Sequence, residues 1–132
     1  MKQFIMVICL VGIVFLLGGC MEKGKQQNRK STDFTVCTED QLPDEVKTLI
    51  EQKKETPFQF TYRLQKDQYI AIGYGEQNGG GYSIKVAECS EDSNNIYVDT
   101  TLLGSEESLE DVKSYPYIVL KCLKSEKKVV FL

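Results

Sequence analysis

Histidine and tryptophan are both absent from the 132 residues. Without histidine no Ser-His-Asp or Cys-His arrangement can form, and the commonest metal ligand is missing. The five cysteines include no CxxC pair, so a zinc site has little support. No G-x-G-x-x-G entering a helix and no P-loop Lys-Ser/Thr occurs, which argues against a phosphate cradle. A basic face is lacking too. From Asp33 onward 11 basic residues stand against 18 acidic ones, a net of −7, which argues against nucleic acid as a partner. A thiol nucleophile at Cys37, Cys89 or Cys122 would need a base and positive surroundings that the chain does not supply. Glu106 and Glu107, adjacent acids in a polar stretch, read as solvated charge. The expectation is therefore no catalytic residue, no metal and no cofactor.

What is present begins at the first residue. Met1-Lys2-Gln3 precedes an apolar run from Phe4 to Leu17, the order of a secretory signal, and small residues follow. The run is shorter than the roughly 20 residues of a spanning helix. Leu17-Gly18-Gly19-Cys20 resembles the lipobox of bacterial lipoproteins, which implies cleavage after Gly19, lipidation of Cys20 and export to the extracytoplasmic face of the cell membrane. An ordinary secretory signal and an uncleaved anchor are the alternatives. Met21–Thr32 is cationic, with Lys23, Lys25, Arg29 and Lys30 against Glu22, and has no apolar periodicity. It reads as a flexible tether suited to anionic headgroups. The expected division is residues 1–19 as leader, 20–32 as lipidated tether and 33–132 as one domain. Of the domain's cysteines, Cys37, Cys89 and Cys122, one pair could form a disulfide in an oxidising location. Three reduced thiols acting as small hydrophobes is the simpler reading.

The domain's local pattern predicts one helix and about six strands. From Leu42 to Lys54, Pro43 suits a helix start, Asp44 and Glu45 the positive end, and Lys53 and Lys54 the negative end. Val46, Leu49 and Ile50 share one face. Phe34–Cys37 fits a short strand. Phe58, Phe60, Tyr62 and Leu64 alternate with polar residues, and Ile70, Ile72 and Tyr74 repeat the pattern after a turn, each predicting one buried face. Tyr82, Ile84 and Val86 follow, then Ile96–Leu103, an acidic loop over 104–113, Tyr115–Leu123 and Val129–Leu132. Tyr115–Leu123 is too evenly apolar for one wet face and predicts a doubly covered strand opening at Pro116. The expected fold is α+β: an amphipathic helix packed on a mostly antiparallel sheet or partly closed barrel.

Five of the ten glycines fall between Gly73 and Gly81. The segment predicts a hairpin through the Asn78-Gly79 pair, with glycine needed for geometry alone. Its functional reading is an exposed loop offering Glu76, Gln77, Asn78, Gly79, Gly80, Gly81 and Tyr82, and also Tyr74, to a protein partner.

The run Tyr69-Ile70-Ala71-Ile72-Gly73-Tyr74-Gly75-Glu76-Gln77-Asn78-Gly79-Gly80-Gly81-Tyr82-Ser83-Ile84 resembles the core signature of the PrcB family, protease complex subunits among the bacterial lipoproteins. Leu42-Pro43-Asp44-Glu45-Val46 and Tyr115-Pro116-Tyr117-Ile118-Val119 are similar to the family as well. The resemblance implies a non-catalytic subunit that accompanies or stabilises an exported protease. Between Thr100 and Ser114 the chain departs from the family pattern, which leaves the choice of partner open. Two alternatives are a protease inhibitor and a cell-envelope ligand-binding module. Asn78–Tyr82 is similar to the Gly-Tyr loop of chagasin-like inhibitors, but their tryptophan-bearing loops have no counterpart here. The ligand-binding alternative rests on the number of tyrosines, most of which suit a core.

Overall fold

The computed structural model describes residues 29–104 and 112–132. The expected leader, Cys20 and the Glu106/Glu107 pair lie outside the described residues. The compact unit begins at Ser31. Its elements are β1 (Lys30–Ser31), β2 (Thr35–Val36), a 3-10 turn (Glu39–Gln41), α1 (Asp44–Lys53), β3 (Pro57–Leu64), β4 (Asp67–Tyr74), β5 (Gln77–Asn78), β6 (Ser83–Glu91), β7 (Asn95–Leu103), β8 (Lys113–Ser114), β9 (Tyr117–Leu123) and β10 (Lys128–Phe131). Thr32 donates its N–H to the Cys89 carbonyl and its hydroxyl to Glu91, so the end of the expected tether joins the fold.

Two four-stranded sheets, β1-β6-β7-β10 and β2-β9-β4-β3, share one core. Ile70, Ile72, Ile118, Leu120 and Cys122 from one sheet meet Ile96 and Val98 from the other. The opposite face of the second sheet carries Tyr69, Ala71 and Val119, and packs against Leu42, Val46 and Ile50 at α1. The layers are thus sheet, sheet and helix, and among the described residues no closed barrel forms.

Layer order explains where local pattern misleads. β9 is buried on both faces, as its even apolarity predicts. β4 is buried on both faces as well, although Ile70, Ile72 and Tyr74 alone suggest one. The intervening Tyr69, Ala71 and Gly73 are small or amphipathic, so they resemble a solvated side while facing the helix. Most pairings are antiparallel, but β10 lies parallel to β7, from Lys128 opposite Asn95 to Phe131 opposite Val98. A parallel partner needs a long crossover, here supplied by β8 and β9, and short hairpin spacing conceals it. In β6 the register shifts between Val86 and Glu88, a bulge at Ala87. The extra residue moves the inward set from Ile84 and Val86 to Cys89.

Candidate functional site

The glycine-rich segment leaves β4 at Gly75, whose φ of 76° suits a residue without Cβ. A Cβ there would press on Pro57 and the Thr56 backbone. The turn swings the Glu76 N–H onto the Glu55 carbonyl at 3.1 Å. The chain then crosses from one sheet to the other. The expected Asn-Gly hairpin does not form, because β4 and β6 belong to different sheets. Instead Gln77–Asn78, as β5, pairs antiparallel with Lys113–Ser114, as β8. Local sequence carries no sign of that pairing, since its two strands lie 35 residues apart.

The contacts that hold the loop come almost wholly from this second segment. Gly79 donates its N–H to the Val112 carbonyl at 2.6 Å, and Ser114 donates its hydroxyl to the Gly79 carbonyl at 2.6 Å. Lys113 Nζ donates to Asn78 Oδ1 at 2.6 Å and stands 3.8 Å from Glu76 Oε2. Tyr115 donates its hydroxyl to Glu76 Oε1 at 3.2 Å, while Lys54 Nζ sits 5.1 Å from the Tyr115 ring centroid. Loss of hydration raises the Tyr115 pKa, with the Glu76 hydrogen bond acting in the same direction. Within the loop, Gln77 reaches the Tyr74 carbonyl and Tyr82 donates its hydroxyl to the Asn78 carbonyl at 2.8 Å. Val112, Lys113, Ser114 and Tyr115 are site residues that sequence reasoning missed.

The seven expected partner residues are brought together, but they divide by role. Glu76, Asn78 and Gly81 are exposed, Gln77, Gly80 and Tyr82 are half-buried, and Gly79 is buried. Gly79 and Gly81 have φ of 93° and 78°, so glycine is needed there for backbone geometry. Gly80 has no positive φ, and open space surrounds the position of a Cβ. Tyr74 is not presented outward. It reaches across the two sheets, its hydroxyl 2.6 Å from Thr100 Oγ1.

Residues 68–122, from Gln68 in β4 to Cys122 in β9, match the family model described as PrcB C-terminal. Over that segment the chain is similar to the PrcB family. The PrcB segment contains the whole loop, the β5–β8 pairing, β6, β7 and most of β4 and β9, while α1 and β3 precede it. No curated protein and no solved structure matches the chain.

Beside the loop a groove of about 550 Å³ opens, lined by Pro57, Phe58, Ile72, Tyr74, Thr100 and Leu132 among others. Among the described residues no group of three His, Cys, Asp or Glu side chains could hold a metal ion, and no helix is long and apolar enough to cross a membrane. Cys37, Cys89 and Cys122 are all free thiols. Burial pushes the Cys89 pKa up to about 11, and raises those of Cys37 and Cys122. At neutral pH all three are therefore held as the weakly nucleophilic thiol.

Proposed function

We propose that the chain is a membrane-anchored extracytoplasmic lipoprotein, lipidated at Cys20, whose domain is a non-catalytic accessory or stabilising subunit of an exported protease complex. The loop Glu76–Tyr82 is its docking surface. The observation that carries the reading is the loop's construction: backbone fixed from below by residues 112–115, with Glu76, Asn78 and Gly81 left exposed. A surface already ordered loses little conformational freedom on binding, which favours affinity. The match of residues 68–122 to the PrcB C-terminal model, with a resemblance that implies a protease complex subunit, supports a protein partner. The raised thiol pKa values and the absence of histidine favour a binding role over catalysis.

Gly80 offers the cleanest test, because a side chain there changes the surface without straining the backbone. Affinity capture from solubilised membranes with the wild-type chain should retain one exported protein. Gly80→Arg should lose it while the fold is unchanged. Equal retention by both chains would contradict the loop assignment. Radiolabelled palmitate should enter the wild-type chain and not Cys20→Ala.

A further inference from the structure

We infer that two copies of the chain pair antiparallel through the open edge of β3, joining their β2-β9-β4-β3 sheets into one eight-stranded sheet with Thr61 on the two-fold axis. β3 has eight residues and, among the described residues, hydrogen-bonds only to β4. It precedes the PrcB segment, so the proposal is independent of the loop's role.

The phase of the strand decides which groups are free. Tyr74 donates its N–H to the Pro116 carbonyl, so the even residues of β4 bond toward β9. The odd residues Tyr69, Ala71 and Gly73 then bond to Tyr62, Phe60 and Phe58. In an antiparallel strand the N–H and C=O of one residue point the same way. Gln59, Thr61 and Arg63 accordingly aim both groups outward, and Pro57, with no N–H to offer, stands first. An uncovered row of this kind is a template for another strand.

Self-pairing fits this row better with Thr61 on the axis than with Phe60 or Arg63 there. Outward groups must meet outward groups, which excludes an axis between two residues. An axis at Arg63 sets two guanidinium groups face to face. An axis at Phe60 sets Arg63 against Pro57, which cannot donate to its carbonyl. With Thr61 on the axis, Gln59 meets Arg63 of the second copy, and every outward N–H and C=O from Gln59 to Arg63 is bonded. On the helix-side face the same register sets Phe58 against Leu64 and Phe60 against Tyr62, in the closely spaced non-bonded pairs where side chains interact best. Leu64, 37% exposed in one copy, gains an aromatic neighbour. The contact is isologous and closes at two copies.

Sedimentation velocity of the full chain in detergent should show a dimer whose share grows with concentration. Thr61→Pro removes an outward N–H and none of the β3–β4 bonds, so it should give a monomer with unchanged circular dichroism. A second measurement reads the register. With an external aromatic disulfide as oxidant, two Thr61→Cys thiols lose two protons and two electrons to it and form an intermolecular disulfide. An H-bonded pair lies within the Cα separation such a bond requires. Thr61→Cys should cross-link well ahead of Gln59→Cys and of the parent chain. A parent chain that stays monomeric, a dimer that survives Thr61→Pro, or equal cross-linking of the two cysteine variants would overturn the proposal. If Thr61→Pro fails to fold, the order of cross-linking decides alone.

Discussion

The ring of Phe58 lies directly over Gly73, its partner across the β3–β4 pair, where any Cβ would overlap it. Glycine in a strand interior ordinarily weakens a sheet, but here its bare backbone makes the seat for an aromatic side chain. Phe58 in turn stacks near Phe60, ring centroids 5.7 Å apart, and both pack toward α1. Gly73→Ala should destabilise the fold by about 1–3 kcal/mol, as overpacking does in a filled core. In a Phe58→Ala background the same change should cost much less, a coupling that urea denaturation of the four chains measures. Additive costs would mean that the ring does not occupy the glycine's space.

Burial on both faces of the middle sheet sets the scale for core substitutions. Leu120 is fully buried at the centre of β9, whereas Leu123, three residues on, is 74% exposed. Leu120→Ala should cost about 2–5 kcal/mol. Leu123→Ala should stay within about 0.5 kcal/mol of the parent. Similar costs at the two sites would contradict the three-layer arrangement.

The helix, the long strands and the double burial of β9 are legible in local pattern alone. Val46 and Ile50 recur at helical spacing, and Phe58, Phe60 and Tyr62 alternate as one face of a strand. Long-range pairing is not legible. The Gln77–Asn78 strand finds Lys113–Ser114, and β10 finds β7, through contacts that leave no periodic trace in either segment. Gly79 shows the limit well. Its neighbours in sequence suggest a free hairpin tip, yet it is a buried link between two distant stretches of chain.

Alkaline pH should loosen the fold. Cys89 has a folded pKa of about 11 against an ordinary thiol value of 9.0, because burial disfavours the thiolate. A group whose folded pKa is raised contributes its full stability below the unfolded value and loses it as pH rises through the folded one. Stability measured by urea denaturation should therefore fall between pH 9.0 and about 11. Cys89→Ala should flatten that fall. An unchanged pH profile in the variant would place the effect elsewhere.

Ser114 ties the glycine-rich loop to β8 through the Gly79 carbonyl. Ser114→Ala should lower global stability by only about 1 kcal/mol, the net worth of one hydrogen bond. The Gly79 amide, bonded to the Val112 carbonyl, should nevertheless exchange its hydrogen markedly faster. Unaltered exchange at Gly79 would show that the 112–115 segment does not hold the loop.

The proposal that the loop is the docking surface is tested most directly by photo-cross-linking in living cells. A photoreactive residue replaces Gly80 in one chain and the exposed Leu123, on a different segment, in another. A single exported protein captured from position 80 and absent from position 123 is the predicted result. No adduct at position 80, or the same adduct at both positions, would contradict it.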